Sequence, residues 1–143
     1  MARFELDSRL ANDCFTLGEL DTSLLLLMNN SLLPWFILVP QTVKTEIIEL
    51  TESEQCSVQN EINLLGSFIK NYFAITKLNI AAIGNIVSQL HIHIVGRHPS
   101  DYCWPNVVWG TTENKHYSDE QVTEIITTLG LKLGDNFKRY DQA

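Results

Sequence analysis

The chain has 143 residues, 45% hydrophobic and 19% charged, a composition that suits a globular domain and not a disordered segment. Lys plus Arg number 10 against 17 Asp plus Glu, a net charge of −7 with His neutral. With no basic patch to interrupt that charge, binding to a nucleic-acid polymer is not expected, whereas a small anionic ligand held by backbone amides and polar groups is compatible with it.

In chain order, the opening residues Met1 to Asp7 carry no basic region followed by an apolar core, so no signal peptide is expected. Residues 5–12 predict a short helix, with Leu6 and Leu10 on one face. A strand interrupted by Gly18 is expected over 15–20, and a buried strand over 23–28, an apolar run too short to span a bilayer. Asn29-Asn30-Ser31 predicts a turn, because these side chains hydrogen-bond their own backbone. Pro34 then leads into Trp35 to Val39, closed by Pro40, which should pair antiparallel with 23–28. Thr51 and Glu54 have capping-box spacing ahead of Val58, Ile62, Leu65, Ile69 and Tyr72, predicting a long amphipathic helix to about Phe73.

A strand over 77–83 follows, with Gly84-Asn85 as a tight connection into the next strand and an antiparallel hairpin as the result. That next strand, 88–97, alternates strictly: Leu90, Ile92 and Ile94 point one way, Gln89, His91, His93 and Val95 the other. Residues 101–117 predict an ordered loop, and Ser118 to Leu129 a second helix, capped by Ser118 with Gln121 and ended by Gly130. The tail is unassigned. The sum is a single α+β domain, an antiparallel sheet with one long helix packed across it. Cys14, Cys56 and Cys103 are widely spaced, without a Cys-x-x-Cys pair. They argue against a disulfide framework or a thiolate zinc site, and for a reducing, cytoplasmic setting.

Two histidines side by side on one strand face have three readings. They share a satisfied core network; they hold a metal, with His98, His116 or Asp101 folding back to complete it; or one imidazole attacks phosphorus while its neighbour donates a proton or hydrogen bond. In the third case the turn at Gly84-Asn85 supplies amides to phosphate oxygens.

Gln89-Leu90-His91-Ile92-His93-Ile94-Val95 resembles the His-Φ-His-Φ-His-Φ-Φ signature of the histidine triad (HIT) superfamily, Φ being apolar. The flanks, Leu78 to Val87 and Asp101 to Gly110, resemble a bacterial HIT-like branch, and the likeness runs from about Leu24 to Gly110. The resemblance implies an antiparallel sheet of about five strands over a core of 4–110, with a C-terminal helix and tail over 111–143. It implies a hydrolase or nucleotidyl transferase acting at the α-phosphate of a nucleoside phosphoramidate or dinucleoside polyphosphate. No cofactor or metal is implied; the partners are the nucleotide and a second copy in a homodimer. His91 matches the nucleophile and His93 the histidine that contacts phosphate oxygens and helps protonate the leaving group, with Gln89 in the first, usually histidine, position. Asn29 resembles a ribose-binding residue, Asn79 an amide near the α-phosphate, Asn85 a phosphate-contacting amide, and Trp104 an aromatic near the nucleotide. The chain departs from the family at Gln89, at Ile86, where Ser or Thr is usual, and at Trp35, where many relatives have histidine. Those departures raise the alternative of a nucleotide-binding or interaction module whose catalysis has weakened.

Overall fold

The computed structural model describes residues 3–140; the ends of the expected 1–143 domain, 1–2 and 141–143, lie outside the described residues. Asp7 caps α1 (Ser8–Asp13) by accepting from the Arg9 amide. Strands β1 (Cys14–Glu19), β2 (Ser23–Met28) and β3 (Trp35–Pro40) follow as an antiparallel meander. Thr51 and Glu54 form the expected capping box at the start of α2 (Glu52–Tyr72), whose Val58, Ile62, Leu65, Phe68 and Ile69 are buried. Then come β4 (Lys77–Ala81), β5 (Ile92–Arg97), α3 (Asp119–Leu133) and the short β6 (Lys138–Arg139). The sheet has six strands in the order β4-β5-β3-β2-β1-β6, all its pairings antiparallel.

Both faces of the central strands are covered, which is why β2 and β3 read as nearly continuous apolar runs. Leu25, Leu27, Phe36, Leu38, Ile92 and Ile94 face α2 and α3. Their neighbours Leu24, Leu26, Ile37, Val39 and Val95 face the other way, against Leu10, Val87 and Val108. The buried Glu61 of α2 fastens that helix to the β1–β2 turn, accepting from the amides and hydroxyls of Thr22 and Ser23.

Three local expectations change. β4 and β5 do pair antiparallel, but the chain between them runs from 82 to 91, and Gly84, at φ +64°, is one bend within it. α3 passes through Gly130 and ends at Gly134. A mid-helix glycine costs about 1 kcal/mol, and burying Leu133 one turn further on offsets it. The sixth strand comes from the tail: β6 crosses β1 at Gly18, where a Cβ would stand 2.2 Å from the Lys138 carbonyl oxygen. Only glycine admits that crossing.

Candidate active site

β5 sits between β3 and β4, with His93 opposite Ile37 on one side and Ala81 on the other. His91 lies one residue before the strand, and the alternation keeps both rings on the sheet face away from α2. Each histidine is buried, their ring centroids 5.0 Å apart and their planes at 67°.

The two rings are held differently. His91 Nδ1 lies 2.7 Å from the Gln89 carbonyl oxygen. A carbonyl only accepts, so the proton sits on Nδ1, and in the neutral ring Nε2 keeps its lone pair. On His93 the bond runs the other way: the Trp35 indole N–H donates to Nδ1 at 2.9 Å. Burial, reinforced by the neighbouring His91, lowers the His93 pKa to about 4. Trp109 meets both partners edge-on, 5.4 Å from His93 and 6.2 Å from Trp35.

Both histidines line a cavity of about 600 Å³, together with Arg9, Trp35, Asn85 and Trp109. The 82–91 connection forms one wall, so its extra length gives the cavity a side. A second hollow of about 370 Å³ adjoins it, sharing Asp13, Met28, Trp35 and Thr111, and is lined by Asn29. Asn29 spends its Oδ1 on the Tyr117 amide at 2.9 Å.

Of the residues singled out from sequence, His91, His93 and Asn85 therefore share one cavity and Asn29 the next. The side chains of Gln89, Asn79 and Trp104 are engaged elsewhere, although Gln89 lines a smaller hollow of about 100 Å³ with Gly84 and His91. Gln89 accepts from the Asp7 amide at 2.9 Å and donates to the Glu5 carbonyl at 2.8 Å, tying down the segment that leads into α1. Asn79 accepts from Arg97 at 2.8 Å, and Trp104 lies against the Arg97 guanidinium, 5.6 Å from its ring centre. Arg97 is itself 1% exposed and pairs with Asp101 through Nε and Nη2, at 2.8 and 3.0 Å. Burial pushes the Asp101 carboxyl upward, but Arg97 and the amides of His98 and Cys103 outweigh it and hold it at about 2. Among the described residues no three His, Cys, Asp or Glu side chains come together as a metal site; His98 bonds Ser100 instead.

Sequence reasoning marked Trp35 only as a departure from the family's histidine, without its contact to His93, and gave Trp109, Arg9 and Arg97 no part in this architecture. Only Arg97 left a local trace, its four-residue spacing to Asp101. The others reach the site through contacts between distant strands and loops.

The HIT domain family matches residues 9–100, a stretch that contains the histidines and the 82–91 wall. A histidine triad protein from Marinobacter aquaeolei VT8 has a similar structure, at 37% identity over 94% of this chain and 99% of its own, with a TM-score of 0.89. One from Bradyrhizobium japonicum follows at 36% identity, 92% and 98% coverage, and a TM-score of 0.87. The diadenosine triphosphate hydrolase of Plasmodium falciparum shares the fold at 21% identity, over 96% of this chain and 88% of its own, with a TM-score of 0.63. Among curated proteins none matches. A paired-histidine strand inside this sheet, matched along most of its length, makes the chain a member of the HIT family.

Proposed function

We propose that the chain is a single-domain nucleotide hydrolase or nucleotidyl transferase that acts through His91. The observation that carries this is the hydrogen bond between His91 Nδ1 and the Gln89 carbonyl, which leaves the Nε2 lone pair as the ring's free nucleophile. In the first step a bond forms between Nε2 and the α-phosphorus of a nucleoside phosphoramidate or dinucleoside polyphosphate. The bond from phosphorus to the leaving group breaks, and its electron pair departs with that group, which takes up a proton from solvent while His93 Nε2 hydrogen-bonds to it. Water then attacks the same phosphorus and gives a proton to solvent, the bond from phosphorus to Nε2 breaks with its pair returning to Nε2, and a nucleoside monophosphate is released. His93 contacts the phosphoryl oxygens, Asn85 and the amides near Gly84 bind the phosphate, and Asn29 in the adjoining hollow meets the ribose. The fold shared with a diadenosine triphosphate hydrolase supports the substrate class. Free Cys14, Cys56 and Cys103 suit a reducing cytoplasm, and among the described residues no helix is long and apolar enough to cross a membrane.

His91→Ala should lower turnover of a purine nucleoside phosphoramidate or dinucleoside polyphosphate by more than about a thousandfold, while nucleoside monophosphate still binds. Mass spectrometry of the wild type should trap a nucleotidyl adduct on His91. Full activity in the variant would sink the proposal, and binding without any adduct would favour a module whose catalysis has weakened. We further propose a homodimer through β4, an edge strand with Ile80 47% exposed; a monomer by sedimentation at micromolar concentration would reject that.

A further inference from the structure

The catalytic reading gives Trp35 no part, yet its indole N–H is committed to a ring of the histidine pair. We propose that Trp35 is a positioning residue: its N–H holds His93 as a neutral donor with the proton on Nε2.

The bond is 2.9 Å long and buried, with Trp35 and His93 exposed by only 9% and 7%. Trp35 lies opposite Val95 on β5, so its side chain reaches His93 along the diagonal between two paired strands. Trp109 stands edge-on to both rings and limits their rotation. An indole nitrogen donates only, so His93 Nδ1 accepts and the neutral ring carries its proton on Nε2. Protonating Nδ1 would set two N–H groups against each other in a buried space, an unsatisfied arrangement that is expensive there. The same contact therefore selects the tautomer and opposes the imidazolium, in the direction in which burial and His91 already act.

The consequence rests on the proposed reaction. His93 gives a hydrogen bond from Nε2 to a phosphoryl oxygen or to the leaving oxygen or nitrogen without changing its own charge. His91, whose proton is held on Nδ1 by a carbonyl, gives a lone pair from Nε2. Two identical side chains 5.0 Å apart thus acquire opposite roles, set by one donor and one acceptor.

Ring nitrogens of the ligand-free full chain report this directly by long-range ¹⁵N–¹H NMR across pH. The wild type should show His93 with an unprotonated Nδ1 and a protonated Nε2 down to about pH 5, consistent with a pKa near 4. The comparison is Trp35→Phe, or benzothienylalanine at position 35, where sulfur replaces the N–H and keeps the ring's shape should phenylalanine destabilise the sheet. Loss of the N–H should raise the His93 pKa by about one unit. It should also lower kcat about tenfold to a hundredfold, with KM within about twofold. A His93 proton on Nδ1 in the wild type would overturn the inference, as would a benzothienylalanine protein whose His93 titration matches the wild type. The NMR arm needs no substrate, so a chain that hydrolyses no nucleotide would defeat the proposed function and leave this inference standing.

Discussion

At its Arg97 end, β5 buries a guanidinium whose donors go to Asp101, Asn79, Cys103 and the Asn106 carbonyl. At its His93 end, the same sheet face leaves one nitrogen of each imidazole to a cavity. The first region is closed electrostatically; the second is kept polar and open. Buried polar groups normally find partners inside the protein, so an end that does not is where a ligand belongs. The closed end serves the open one, because Arg97 and Asp101 anchor the loop that carries Trp109 over His93.

The sharpest way to break this contrast is Arg97→Ala. It strands the 5%-exposed Asp101 carboxylate and should cost about 3–5 kcal/mol in urea unfolding. His91→Ala, at the open end, should cost only about 1 kcal/mol. Equal losses in the two variants would erase the distinction between clamp and site.

Acid offers a smaller and more graded test. The folded pKa of His93, about 4, lies below its unfolded value of about 6.5, so the unfolded chain binds more protons between them. The stability His93 contributes is complete above pH ~6.5 and is lost as pH falls to about 4, by up to roughly 3 kcal/mol. Asp101, at about 2 when folded and about 3.9 when unfolded, loses its contribution only between pH ~4 and ~2. Unfolding midpoints against pH should therefore fall in two stages, with His93→Gln flattening the first and Asp101→Asn the second. A single stage, unmoved by His93→Gln, would show that the histidine is not buried in its neutral form.

How much was readable before folding follows from the range of each interaction. The capping boxes at Thr51–Glu54 and Ser118–Gln121 span three residues, and the alternation around His91 and His93 spans two, so local chemistry exposes both. The bend at Gly84-Asn85 was legible for the same reason, but the longer 82–91 segment that brings Asn85 to the cavity was not. Gln89 stands in line with the histidines and Asn79 resembles a family amide near the α-phosphate, but their side chains turn to the segment before α1 and to Arg97. No periodicity announces such partners.

By itself, the sequence determined the antiparallel α+β plan, the two long helices and the face on which the histidines stand. These follow from side-chain period and from hydrogen bonds closed within a few residues. Only the tertiary structure decided which ring gives and which accepts. His91 takes its tautomer from the carbonyl two residues back, but His93 takes its own from an indole 58 residues away. That second contact exists only after β3 and β5 have paired in one register, and it turns two aligned histidines into an unlike pair.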